Sequence, residues 1–248
     1  MTEPESLADP LPGGSDGDAP VVRHRLSTRL WHGLNAVALY VLFTSGLGIF
    51  NAHPRLYWGH YGANFDHAWL ELDRFPAWLT LPAHYSLAMS RRWHLGFAPL
   101  LAFALLFYML WSLANRHITR DLAFRRGELR PANIAHDIRN HARLRFPQGR
   151  SARQYSPLQK ASYIAVIFVL LPLAILTGLT LSPGMDAAWP WLLDLFGGRQ
   201  SARSAHFIVA WLLAAFFLVH IAMVLLSGPL NQMRGIVTGR YRLRAEEP

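Results

Sequence analysis

His206 and His220 stand fourteen residues apart inside one apolar stretch, SAHFIVAWLLAAFFLVHIAMVLL, residues 204–226. In a helix this is about 3.9 turns, so both rings fall on nearly one face, roughly 21 Å apart along the axis. No single metal centre can use both. Imidazole serves as a metal ligand, a proton carrier or a hydrogen-bonded structural group. Ionisable residues inside membrane helices are rare and usually functional. Two further histidines lie within apolar runs, His32 in RLWHGLN and His94 in RRWHLGF.

The elements that must position them are legible from charge. Residues 30–54, 93–115, 161–185 and 204–233 contain no Asp, Glu, Lys or Arg, giving runs of 25, 23, 25 and 30 residues. About 20 apolar residues cross a bilayer core as a helix, so the runs predict four transmembrane helices, over about 30–50, 93–115, 160–182 and 204–227. The class is all-α, an integral membrane four-helix bundle. Pro172 predicts a kink in the third helix. The chain is 52% hydrophobic yet carries a formal charge of +9, because its loops are basic. Eighteen of the 24 Lys and Arg flank the first run, fill the loop between runs two and three, or follow run four; the other six lie in the remaining loops. Positive charge favours the cytoplasmic side. Both termini are therefore expected in the cytoplasm, with residues 51–92 and 186–203 outside. The basic loop suits topology and anionic lipid better than nucleic acid. Residues 1–21, acidic and rich in Pro and Gly, read as a disordered cytosolic tail before a domain spanning 22–244. The aromatic outer loop, 51–92, reads as interfacial anchoring or as a docking surface for a partner, with a short helix within FDHAWLELDRFPAWL.

This topology gives each histidine of the fourth helix one partner at its own depth. His94 and His206 meet near the outer face, and His32 and His220 near the inner face. Two imidazoles on opposite faces of a haem iron make a six-coordinate centre suited to electron transfer. Two haem b groups, one near each surface, account for all four. The absence of cysteine excludes thiolate ligands and covalent haem attachment. An isolated membrane histidine is commonly structural, and a zinc or proton-relay site is a weaker fit to two pairs at two depths. His24 and His117 are substitutes for the inner site. Arg29, Arg91, Arg92 and Arg203 flank the ligands as candidates for the haem propionates, or simply mark helix ends. Gly46 and Gly48, in TSGLGIF, suit close approach of a macrocycle or of another helix.

RLSTRLWHGLN, RRWHLGF, HFIVAWLLAAFFLVH and MRGIVTGRY, in this order and spacing, resemble the di-haem cytochrome b family. That family contains the gamma subunit of formate dehydrogenase and the cytochrome b subunits of nickel–iron hydrogenase and thiosulfate reductase. Bacterial cytochrome b561 proteins are relatives. The resemblance covers roughly residues 22–55, 91–117 and 155–244. It implies an iron-binding respiratory-chain subunit of the bacterial inner membrane, carrying electrons between a quinone and an enzyme subunit on one side. The partner implied is a periplasmic electron carrier or an oxidoreductase such as a molybdopterin enzyme. The alternative it leaves open is a stand-alone cytochrome b561-type superoxide:quinone oxidoreductase. It also implies that His32, His94, His206 and His220 are the haem ligands, paired as above. QYSPLQKASY resembles the segment bordering the quinone site, with Tyr155, Ser156, Gln159 and Lys160 as candidates. Ser156 and Pro157 depart from the gamma subunit's residues, and Gln159 and Lys160 also suit a polar helix cap.

Overall fold

The computed structural model describes residues 20–22, 25–116, 123–124, 127–143 and 156–242. Four helices in it are long and apolar enough to cross a membrane: α1 (Leu26–Phe50), α2 (Leu87–Ala114), α4 (Pro157–Leu181) and α7 (Arg199–Leu226). Shorter helices are α3 (Pro131–Ala142), α5 (Pro183–Ala188), α6 (Pro190–Leu195) and α8 (Pro229–Thr238). The spanning helices begin earlier than the charge-free runs, because charge marks where a helix leaves hydrocarbon and not where its backbone hydrogen bonds stop. Arg91, Arg92, Arg199 and Arg203 all lie within the first two turns of their helices. Pro172 sits just after a π-helical turn, Val166–Leu170, which interrupts α4. A π-turn re-spaces the hydrogen-bond ladder beside a residue that cannot donate to it.

The chain divides into two compact units. The first comprises the described residues up to Gly33, Ser112–Ile164 and those from Leu218 onward. Here Pro20–Val22 pairs antiparallel with Arg240–Arg242. Residues 1–19, nearly all of the expected tail, lie outside the described residues. Asp137 on α3 caps α4 by accepting from the Leu158 amide at 2.9 Å. Lys160, which is buried, donates to Glu128 at 2.9 and 3.0 Å.

The second unit comprises Leu34–Trp111 and Ala165–Phe217. Along α1, Ala38, Val41 and Ser45 recur at helical spacing and are buried. The opposite faces stay apolar: Phe103 and Phe107 on α2 are 70% and 60% exposed, a surface suited to lipid and not to water. The loop after α1 is ordered by hydrogen bonds to the first turns of α7. The Gly59 carbonyl accepts from the amides of Gln200 and Ser201 at 3.1 and 3.2 Å, satisfying donors that a helix start leaves orphaned. Ser201 Oγ accepts from the Gly59 amide at 2.7 Å. Arg203 donates to the Arg55 carbonyl at 2.8 Å and also to the His53 carbonyl. Ser204 Oγ donates to the Tyr57 carbonyl at 2.6 Å and accepts from Trp69 Nε1 at 2.9 Å. Gly198, at φ 104°, leads into this helix start, where a Cβ would stand 2.7 Å from the His60 Cα.

The helix expected within residues 65–79 does not form. Leu70–Glu71 pairs with Arg55–Leu56, and only Ala77–Leu79 is helical, as a 3₁₀ turn. The Trp69 and Leu72 amides donate to the carbonyls of Leu56 and Pro54 at 3.0 and 3.1 Å, which a continuous helix would forbid.

Candidate functional site

In the second unit, α2 carries His94 and α7 carries His206, and their ring centroids are 6.1 Å apart. Two imidazoles bonded through one nitrogen each to a metal between them, with bonds of about 2 Å, put their centroids roughly 6 Å apart. The hydrogen bonds define the tautomers. The Leu42 carbonyl, which can only accept, lies 3.1 Å from His94 Nδ1, so that nitrogen carries the proton. Ser45 Oγ, also 3.1 Å from it, gives its own proton to the Val41 carbonyl at 2.6 Å. Thr177 Oγ1 likewise donates to the Leu173 carbonyl at 2.6 Å and accepts from His206 Nδ1 at 2.9 Å. Nε2 of each ring therefore keeps its lone pair. Ordering of one ring nitrogen by a second partner is the usual arrangement behind a metal-binding histidine.

Both rings line a mostly apolar cavity of about 350 Å³, together with Arg91, Arg199, Arg203 and Trp211. The donor set suits a flat, apolar, dianionic macrocycle with a metal at its centre: two facing imidazoles, apolar walls and guanidinium groups at one rim. Phe43, Phe207 and Trp211 form part of an aromatic wall that continues through Phe50 and Phe75.

In the first unit, His32 on α1 and His220 on α7 repeat the relation, with centroids 6.3 Å apart and rings tilted by 51°. His32 is exposed and His220 half-buried. All four histidines expected to pair are thus brought together in the expected pairs. His24 and His117 lie outside the described residues.

The arginines divide. Arg91 and Arg203 line the cavity beside His94 and His206. Arg203 is also the loop's hydrogen-bond donor and stacks over Phe50 at 5.9 Å. Arg92 lies off that cavity, against Met89, Trp93 and Phe97. Arg29 donates to the Ile236 carbonyl at 3.0 Å and to the Val237 carbonyl, closing the last turn of α8. Sequence reasoning missed Arg199, counting it only as a loop charge. Its signal was the spacing Arg199, Arg203, His206, one face of a helix. Arg199 also bonds Asp186 at 3.4 Å. Ser45 and Thr177 were missed as well.

Ser156 and Gln159 form a capping box: the Ser156 amide donates to Gln159 Oε1 at 3.1 Å and the Gln159 amide to Ser156 Oγ at 3.3 Å. Lys160 is engaged with Glu128. Tyr155 lies outside the described residues. Of the loop histidines, His53 stacks on Tyr57 at 5.9 Å, and burial, with Arg203 and Arg55 nearby, lowers its pKa below the ordinary 6.5.

Four apolar helices with facing histidine pairs define a membrane cytochrome of the b type. The chain belongs to the prokaryotic cytochrome b561 family, whose model matches residues 23–239. A relative from Azospira oryzae, which carries the name of a protein-methionine-sulfoxide reductase subunit, YedZ1, is 30% identical over 211 residues, covering 80% of this chain and 87% of its own. A relative from Cupriavidus necator, named as a Ni/Fe-hydrogenase B-type cytochrome subunit, is 24% identical over 206 residues, covering 78% and 74%. The protein is accordingly a multi-pass electron-transfer subunit of the bacterial inner membrane, and haem b is its family's cofactor.

Proposed function

We propose that this chain binds two haem b groups and carries electrons between a membrane quinone and a redox partner in the periplasm. His32 and His220 would hold one haem, and His94 and His206 the other. The observation that carries this reading is the near-identical centroid spacing of the two pairs, 6.3 and 6.1 Å. When bound, each haem supplies a one-electron ferric/ferrous couple with no open position for oxygen. The protein's part is to hold both imidazoles neutral, with Nε2 lone pairs directed inward. It also excludes water with aromatic walls. Arg91 and Arg199 lie at the cavity rim, where a propionate would meet them.

The distribution of positive charge supports both termini in the cytoplasm, which puts His32 and His220 on the inner side and His94 and His206 on the outer. The quinone is assigned to the inner side, near the start of α4. The partner is a periplasmic oxidoreductase or electron carrier. Its docking surface is the loop after α1, which is latched to the same helix that presents His206. A partner's centre seated there would be close to the outer haem.

Haem b per polypeptide, measured as the pyridine haemochrome, tests the ligand set. Two haems are expected in the wild type and one in each of His206→Ala and His220→Ala. A count of one in the wild type, or two in either variant, would overturn the pairing.

A further inference from the structure

Two dipeptides repeat one device on the two spanning helices that carry neither His94 nor His206. Ser45-Gly46 on α1 faces His94, and Thr177-Gly178 on α4 faces His206. Ser45 and Thr177 are both fully buried. Each hydroxyl proton is committed to the carbonyl four residues back, so each oxygen is left as an acceptor polarised by its own donation. The next residue is glycine in both cases, and the imidazole edge lies where its side chain would begin. A Cβ on Gly46 would stand 3.5 Å from His94 Cε1, and one on Gly178 would stand 3.3 Å from His206 Cε1.

We infer that Ser45-Gly46 and Thr177-Gly178 are matched positioning residues for the outer haem, one dipeptide per imidazole. The inference rests on the reading that His94 and His206 are its ligands. The hydroxyl holds Nδ1–H, leaving Nε2 to the iron and raising the basicity of the ring. The glycine lets the supporting backbone come close enough to set the ring plane. A more basic ligand favours ferric over ferrous iron, so the two hydroxyls together hold this haem's potential down.

The test is a redox titration of the haem bands in Ser45→Ala, Thr177→Val and the double variant, with Thr177→Ser as the conservative control. Each deletion is expected to move one of two waves upward and leave the other in place. The two shifts should be of similar size, because each ring also keeps a backbone carbonyl, Leu42 for His94 and Ala174 for His206. Thr177→Ser should titrate like the wild type. Haem loss in Thr177→Val but not in Thr177→Ser would also support the hydroxyl's role. Unshifted waves in haem-replete variants, or a Thr177→Ser that behaves like Thr177→Val, would overturn it. Low-spin electron paramagnetic resonance adds a second readout. Gly178→Ala forces the His206 ring to give by a few tenths of an ångström and should shift one signal, whereas Gly46→Ala fits at ordinary contact and should not. The opposite order would overturn the glycine assignment. If His94→Ala and His206→Ala each kept two haems, the ligand reading itself would fail, an outcome separate from these.

Discussion

The unit that holds His32 and His220 and the unit that holds His94 and His206 are secured by different chemistry. In the first, ionised groups do much of the fastening: Lys160 with Glu128, Asp137 on the start of α4, Arg29 on the end of α8. In the second, the prominent long-range fastenings are neutral. They are serine and threonine hydroxyls, backbone carbonyls and a run of stacked and edge-packed rings; the charged exceptions are Arg203 on backbone carbonyls and the partly exposed pairs Arg55–Glu71 and Arg199–Asp186. Charges cost several kcal/mol to bury and so must be paired, and a pair fails badly when one partner goes. Neutral hydrogen bonds are individually worth about 1 kcal/mol and fail gently. The two units should therefore respond to single substitutions on different scales.

The largest expected effect follows from the ion pair. Glu128→Ala leaves the Lys160 ammonium, whose side chain is 7% exposed, without its carboxylate. Removing one partner of a buried pair costs about 3–5 kcal/mol. Lys160→Ala should cost less, because the Glu128 side chain is 23% exposed and better reached by water. Thermal unfolding and hydrogen exchange over residues 157–164 would measure both. The contrast between the units breaks if Glu128→Ala leaves that segment protected, or if the His94/His206 haem is lost first.

Much of this contrast was legible before any coordinates. Four spans follow from where charge is missing, and the histidine pairs from where imidazole intrudes on those spans. Gln159 was legible as a polar cap at a helix start, though its partner in the capping box, Ser156, was not. Ser45 and Thr177 were not legible, because a hydroxyl residue followed by glycine in a membrane helix reads equally well as ordinary close packing. Gly48, two residues beyond Gly46, serves close packing alone: a Cβ there would overlap Ser90, not an imidazole. A short helix was expected within the loop between α1 and α2, where only a 3₁₀ turn at Ala77–Leu79 forms. The loop's aromatic composition reports the interface, while its conformation depends on partners at 200–204, far along the chain. Arg199 was passed over because a charge counted for topology was not also placed on a helical face.

A middle-sized effect sharpens the neutral side of the comparison. Ser204 is fully buried, accepts from Trp69 Nε1 and donates to the Tyr57 carbonyl. Ser204→Ala strands both partners, at about 1–3 kcal/mol. Trp69→Phe removes one donor and leaves the second bond intact, at about 1 kcal/mol. Limited proteolysis of the 53–72 loop should accelerate in that order, with haem content unchanged in both variants. Equal rates for Ser204→Ala and the wild type would mean that the hydroxyl does not hold the loop.

The smallest effect is a pH dependence of the same latch. Burial, then the guanidiniums of Arg203 and Arg55, depresses the His53 pKa below its ordinary 6.5. The folded latch therefore binds this proton less readily than the opened chain does, and acid favours opening. Its contribution is complete above the unfolded value and is lost as pH falls through the lower folded one. Arg203 donates to the His53 carbonyl, not to its ring, so His53→Gln removes the titration while keeping that bond. Exchange protection of amides 53–59, corrected for intrinsic rate, should fall from pH 7.5 to 5.5 in the wild type and fall less in His53→Gln. Equal falls in both would trace the acid sensitivity to other groups.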